Sequence, residues 1–142
     1  MDSIKDLKNK SIDFYNVIKN KNIKKTDYKN KISYEKRCND SQRLRIKYIN
    51  SVPIIIESTD LIIKKNKFLT FMTNTASSVI YNIRKQLELS PEKAIFIFCD
   101  DKLLNLSQTI GEIYENYLHN NKIKSDGDLF LYFDLKEEST FG

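Results

Sequence analysis

Tryptophan is absent from this chain, and histidine occurs once, at His119. Glycine occurs 3 times and proline 2 times in 142 residues, too few for an all-β domain rich in tight turns. The 2 cysteines, Cys38 and Cys99, with one histidine fall short of a structural zinc site or a disulfide framework. No apolar run approaches the roughly 20 residues of a membrane-spanning helix. Met1-Asp2-Ser3-Ile4-Lys5-Asp6 has no apolar h-region, so no secretory signal is expected. No glycine-rich loop follows a strand pattern, which leaves phosphate-cradle motifs without a basis.

What is present fits one soluble, cytoplasmic, globular domain: 40% hydrophobic and 30% charged residues. The charge is unevenly placed. Residues 1–50 carry 14 Lys and Arg against 6 Asp and Glu, whereas residues 51–142 carry 10 against 13. A basic front on a mildly acidic body points to an arm that meets an anionic surface, a nucleic acid or an acidic partner. The plainer reading is compositional drift, because Lys, Asn and Ile dominate the same stretch.

Ile4, Leu7, Phe14 and Ile18 share one side of a helical wheel, and Lys19 to Lys31 reads as a solvated, mobile linker. Tyr34 to Arg37 and Gln42 to Tyr48 read as two short helical stretches. Val52 to Glu57, with Pro53 at its start, predicts a strand buried on both faces. Lys67 to Phe71 predicts a second strand, with Ser58 to Asn66 as the hairpin connection. Thr75 is a good N-cap for a helix of about three turns carrying Ala76, Val79, Ile80, Ile83 and Leu87. Ser90-Pro91-Glu92 reads as a turn, and Ala94 to Cys99 as a central strand. Thr109-Ile110-Gly111-Glu112 is a capping box opening a further helix. Asn120 to Gly127 is a polar loop and Leu129 to Leu135 the last strand. The order, two short helices then β-β-α-β-α-β, is α+β. It outlines a ubiquitin-like β-grasp with a four-stranded mixed sheet and crossover helices. Residues 1–27 form a basic extension, 28–142 the domain, and 136–142 a short polar tail.

The candidates for catalysis are weak. Cys99 ends an apolar strand, where cysteine behaves as a small hydrophobe, and nothing pairs Cys38 with His119. His119 suits the C-terminal end of a helix as a solvated cation. Asp100-Asp101 follows a strand and reads as a turn before it reads as a metal site. Tyr15, Tyr28 and Tyr34 interleave with the basic arm, but without a motif, so no nucleic acid is expected as a partner. The C-terminus says more. A terminal glycine has no side chain, so its carboxylate can thread a narrow channel, be adenylated, pass to a thioester and be attacked by an amine.

With that tail on a β-grasp outline, the sequence resembles the autophagy ubiquitin-like modifiers of the GABARAP and microtubule-associated light-chain family. The resemblance runs from about Tyr28 to Gly142. It is carried by Tyr34-Glu35-Lys36-Arg37, Arg45 with Lys47-Tyr48, Val52-Pro53-Ile54-Ile55-Ile56-Glu57 and Lys67-Phe68-Leu69. It continues through Ile83-Arg84-Lys85, Ile95-Phe96-Ile97-Phe98 and Thr109 to Tyr114, and closes with Leu129-Phe130-Leu131-Tyr132, Glu138-Ser139 and Phe141-Gly142.

The resemblance implies a modifier and not an enzyme, with no cofactor beyond a covalent phosphatidylethanolamine at Gly142. Its implied partners are E1-like and E2-like conjugation enzymes, a delipidating cysteine protease and the membrane reached through the lipid. Since Gly142 is terminal, no proteolytic priming is expected. The lipidated form is expected on the autophagosome membrane, recruiting receptors whose aromatic-x-x-aliphatic motifs add a strand beside Ile54 to Ile56. By the same resemblance the first motif pocket maps to Asp40, Leu44, Pro53, Ile55, Lys67, Leu69 and Phe130. The second maps to Phe68, Thr70, Phe71, Val79 and Asn82. Thr70, Asn74 and Asn82 stand where the family is mostly apolar, so a shallower, wetter second pocket is expected. Ser51 replaces an Arg, Ile49 replaces a Pro, and Lys122 to Gly127 looks like an insertion. Two other readings stay open: the related autophagy modifier that is joined to a protein lysine, and an unconjugated basic module for nucleic acid or microtubules.

Overall fold

A computed structural model describes residues 27–90 and 92–138. The expected helix over residues 4–18, Pro91 and the tail residues Ser139 to Gly142 lie outside the described residues. Helix α1 (Asp27–Lys31) is short and closed by an Asp27–Lys31 ion pair at 3.2 Å. It occupies sequence read above as linker. Helix α2 (Tyr34–Lys47) is continuous where two stretches were expected. Ser33 caps it by accepting from the Lys36 N–H. Its polar middle, Cys38 to Ser41, stays helical because tertiary contacts outweigh weak propensity. The Ser41 hydroxyl accepts the Leu129 N–H at 2.8 Å, and Gln42 donates to the Gly127 carbonyl at 2.9 Å.

Strand β1 (Ser51–Glu57) is buried at every position, as its β-branched run requires. Strand β2 (Lys67–Phe71) alternates exposed and half-buried residues. Helix α3 (Ala76–Leu87) begins at the Thr75 cap and ends at Glu88 with φ 52°. Strand β3 (Ile95–Cys99) turns through Asp100 and Asp101, at φ 55° and 63°, into strand β4 (Lys102–Leu103). Two left-handed residues make the turn twist that an antiparallel hairpin prefers. Helix α4 (Ile110–Asn120) opens on the expected capping box, with both reciprocal bonds formed between Thr109 and Glu112. Strand β5 (Leu131–Glu137) completes the sheet.

The sheet order is β2-β1-β5-β3-β4, with β1 and β5 parallel and the other pairs antiparallel. The sheet therefore has five strands and not four. The extra one is two exposed residues long, too short to leave a periodic signal. Strand β3 is internal, and the centre of the sheet belongs to β5. Strand β5 also runs two residues past Leu135: Glu137 pairs with Ile95, and the Glu138 N–H donates to the Ala94 carbonyl. Lys136 and Glu137 thus belong to the sheet, not to the tail.

The main core unites Val52, Ile54 and Ile56 of β1 with Ala76, Val79 and Ile83 of α3, Ile113, Tyr114 and Tyr117 of α4, and β3 and β5. Pro53 and Ile55, alternating with these, face the opposite side, where Phe130 is fully buried. That side is closed by α1 and α2.

Candidate functional site

The residues assigned to the first pocket gather on this second face. Pro53 pairs across the ladder with Leu69, and Ile55 with Lys67, so the four side chains form two adjacent rows. Pro53 and Ile55 are buried, Lys67 and Leu69 exposed. Phe130, immediately before β5, lies beneath: the Lys67 Nζ stands 5.6 Å from its ring centroid. Asp40 and Leu44 come from α2 one turn apart. The Asp40 carboxylate is held by Lys36 at 3.4 Å and by Arg43 at 3.4 Å.

A residue without a site role in the sequence reading sits at the centre of this group. Tyr28 of α1 meets Phe130 edge-to-face at 5.7 Å and Tyr132 at 6.4 Å, and the Lys67 Nζ lies 5.7 Å from its ring. Burial, then the Asp40 and Asp128 carboxylates, push its phenol up to about 12. Its backbone N–H donates to Glu57 Oε2 at 2.6 Å. The signal was legible only as an aromatic among lysines; nothing in spacing tied Tyr28 to a residue a hundred positions away.

Glu57 is itself unusual, a buried carboxylate at the end of β1. Desolvation raises its pKa to about 7, against the Tyr28 N–H bond that lowers it. Asp27 and Asp134 add to the rise and Lys29 opposes it. A folded pKa above the unfolded one means the folded state holds the proton more tightly. The resulting stability is complete below about pH 4.5 and is lost as pH rises through about 7. Glu57→Gln is therefore expected to be about 1–3 kcal/mol more stable than the parent at pH 8, with the two converging near pH 4. Urea unfolding across that range checks it. A parent stability that stays flat between pH 5 and 8 would contradict the argument.

The second group is only partly assembled. Phe68 and Thr70 point to the α3 side of β2, where Phe68 packs on the core and Val79 of α3 is buried. Asn82 is exposed on the same helix. Asn74 donates to the Thr70 hydroxyl at 3.2 Å, so the polar substitutions satisfy each other locally. Phe71 does not join them. Strand alternation sets it with Lys67 and Leu69 on the other face, where it is 62% exposed.

Backbone geometry also relocates the strand that a bound motif would extend. Strand β1 is flanked by β2 and β5, so no partner can pair beside Ile54 to Ile56. Among the described residues the outer strands are β2 and the two-residue β4, and of these β2 lies beside the first-pocket residues. The Ile56 N–H donates to the Asn66 carbonyl and the Met72 N–H to the Asn50 carbonyl. In an antiparallel ladder this phase directs Phe68 and Thr70 toward β1, and the N–H and C=O groups of Lys67 and Leu69 outward.

The catalytic candidates have structural places. Cys99 is buried, and desolvation pushes its thiol up to about 12, away from thiolate chemistry. Asp100 and Asp101 form the hairpin turn, with Asn121 donating to Asp100 at 2.9 Å. His119 is exposed in the last turn of α4.

A mixed sheet with a hairpin at one edge, two crossover helices on one face and added N-terminal helices on the other defines a ubiquitin-like fold of the autophagy type. The family model described as "Autophagy protein Atg8 ubiquitin like" matches residues 36–142. Autophagy-related protein 8 of Schizosaccharomyces pombe is 40% identical over 122 residues, covering 83% of this chain and 95% of that protein. Its counterpart in Mycosarcoma maydis is 39% identical over 119 residues, 81% and 95% of the two chains. The crystal structure of Trypanosoma brucei ATG8 superposes with a TM-score of 0.68 at 30% identity, covering 81% of this chain and 97% of that one. Plasmodium falciparum Atg8, solved in complex with an Atg3 peptide of the same organism, superposes with a TM-score of 0.64 at 24% identity, covering 76% of this chain and 93% of that one. The chain belongs to the Atg8 family and is an autophagy ubiquitin-like modifier. No described helix is long and apolar enough to cross a membrane.

Proposed function

We propose that this modifier is activated at Gly142 by an E1-like enzyme, passed to E2-like enzymes and joined to the amine of phosphatidylethanolamine. The lipid then holds it on the autophagosome membrane, from which a cysteine protease releases it, and it acts as the transferred group and not as an enzyme. Receptors dock by adding a strand to the β2 edge. The aromatic residue of their motif enters beside Phe130, Lys67 and Leu69, and the aliphatic one beside Phe68, Thr70 and Val79. The observation that carries the docking reading is the open β2 edge, with unpaired backbone groups of Lys67 and Leu69 directly beside the buried Phe130. Family membership and the Phe141-Gly142 ending support the conjugation.

Intact-mass analysis of the chain recovered from cells tests the conjugation: a lipid mass on Gly142 is expected. A protein adduct on a lysine, or no adduct, overturns it. Docking is tested by comparing Leu69→Ala with Leu69→Pro. The proline removes one outward N–H without breaking a ladder bond to β1. It is expected to bind a motif peptide about tenfold more weakly than the alanine variant, the worth of one backbone hydrogen bond. Equal affinities by calorimetry would place the peptide elsewhere.

A further inference from the structure

The cleft between α1, the start of α2 and the loop after α4 has no part in the motif groove or the tail. It measures about 450 Å³ and is lined in part by Lys29, Tyr34, Arg37, Lys122, Lys124 and Asp128. Its floor holds Arg37, only 8% exposed, whose Nε and Nη1 have no hydrogen-bond partner. A buried guanidinium with idle donors is costly, so its surroundings demand an explanation. Asp128 forms an ion pair with Arg37 but supplies no hydrogen bond. Its Oδ2 stands 3.6 Å from Arg37 Nη1, beyond hydrogen-bond reach, and accepts the Tyr132 hydroxyl at 2.6 Å, while its Oδ1 accepts the Phe130 N–H at 3.1 Å.

The loop Lys122 to Gly127 builds the outer wall. Lys122 adopts φ 53°, Gly127 is buried against Gln42, and the loop brings Lys122 and Lys124 to the mouth. Among the described residues neither lysine forms an ion pair. Lys29 closes the other side, with its Nζ 4.4 Å from the Tyr132 ring centroid. Four cations thus converge against Asp126, which is exposed, and Asp128, which is already engaged.

We propose that this cleft binds a phosphate group, with Arg37 as its buried donor and Lys29, Lys122 and Lys124 as its charge complement. Phosphate fits better than a carboxylate because it carries nearly two negative charges and three acceptor oxygens, matching several converging donors. The site is independent of conjugation and of motif docking.

The test uses the full chain, isotope-labelled, titrated with inorganic phosphate at constant ionic strength. A saturable shift of the Arg37 Nε–H and of the amides of residues 122–128 is expected. Lys122→Ala with Lys124→Ala, both exposed and outside the core, is expected to weaken it about tenfold through the lost Coulomb attraction. Lys102→Ala, on β4, is expected to leave it unchanged. A parallel arm uses phosphatidylcholine vesicles with and without phosphatidylinositol 4-phosphate. Vesicle binding that the double variant removes assigns a lipid headgroup; phosphate saturation without vesicle binding assigns a free phosphate ester or ion. No saturable shift at Arg37, or one insensitive to the two lysines, overturns the site.

Discussion

Gly142→Ala is expected to abolish punctate membrane localisation and to leave the chain diffuse in cells. The effect should be complete because the step lost is covalent. The glycine carboxylate must lie in line with a nucleotide phosphate, then with a thiol and finally with an amine, each time inside an enzyme channel closed around the tail. Glycine alone brings no Cβ to that approach and reaches either sign of φ at no steric cost. Alanine adds a methyl group at the reacting residue itself, where a displacement of about 1 Å costs about a hundredfold in rate, and the cost recurs at each transfer. Stability should not change, since the described core ends with β5 at Glu137. Puncta that persist in the variant without a lipid adduct on residue 142 would refute conjugation through Gly142, and an unchanged adduct on residue 142 of the variant would refute the requirement for glycine.

Phe130→Ala has the largest expected cost to the folded state. Phe130 is fully buried on the face opposite the main core, between Tyr28 at 5.7 Å and Tyr132 at 6.4 Å. Truncating a buried phenylalanine costs about 3–5 kcal/mol, a large share of the roughly 5–15 kcal/mol that holds a domain together. The loss reaches function by two routes. The floor of the first pocket disappears, and Tyr28, Lys67 and α1 lose the ring they pack on. Phe130→Leu separates the two. It keeps most of the volume, so stability should fall by less than about 1.5 kcal/mol, while the edge-to-face contact and the cation–π contact are lost. Urea unfolding midpoints and motif-peptide affinities measure both. A loss of under 1 kcal/mol for Phe130→Ala, roughly a surface substitution, would show that the face is not packed as described.

Much of the sheet face under the crossover helices was legible. The alternation in Lys67 to Phe71, the β-branched run at Ile54 to Ile56, the Thr75 cap and the Thr109–Glu112 capping box are local patterns. Each acts within one turn or one strand. The N-terminal helices were less legible. Asp27 to Lys31 is too short and too polar to be helical alone. It folds because Tyr28 can pack on Phe130 and hand its N–H to Glu57. Likewise α2 runs through Asn39 and Asp40 because Ser41 and Gln42 are bonded to the loop before β5. Strand β4 had no pattern at all, only the two aspartates that turn into it.

The pockets divide along the same line. The side-chain types of Pro53, Ile55, Lys67, Leu69 and Phe130 were on the sequence, and register brings them together. The choice of edge was not. A run of three isoleucines looks like a docking strand, but two neighbours occupy it, and only the sheet order reveals that β2, beside it, is an edge strand. Phe71 lies on the face of Lys67 and Leu69, apart from Phe68 and Thr70, for the related reason that one step along a strand reverses the face.

By itself, then, the sequence determined the sparse chemistry of this protein. One histidine, two cysteines and the Phe141-Gly142 pair make the resemblance to a transferred modifier its strongest signal, and that follows from residue types. Tertiary structure alone decided which residues share a face, an edge or a cleft. The charge of the front half sharpens accordingly: its Arg37 and Lys29 meet Lys122 and Lys124 in one cleft only after α2, the loop and β5 have packed. Burial strips Arg37 of water and leaves its Nε and Nη1 without a hydrogen-bond partner beside the Asp128 ion pair, a condition that depends on distant residues and is therefore invisible in any local stretch of sequence.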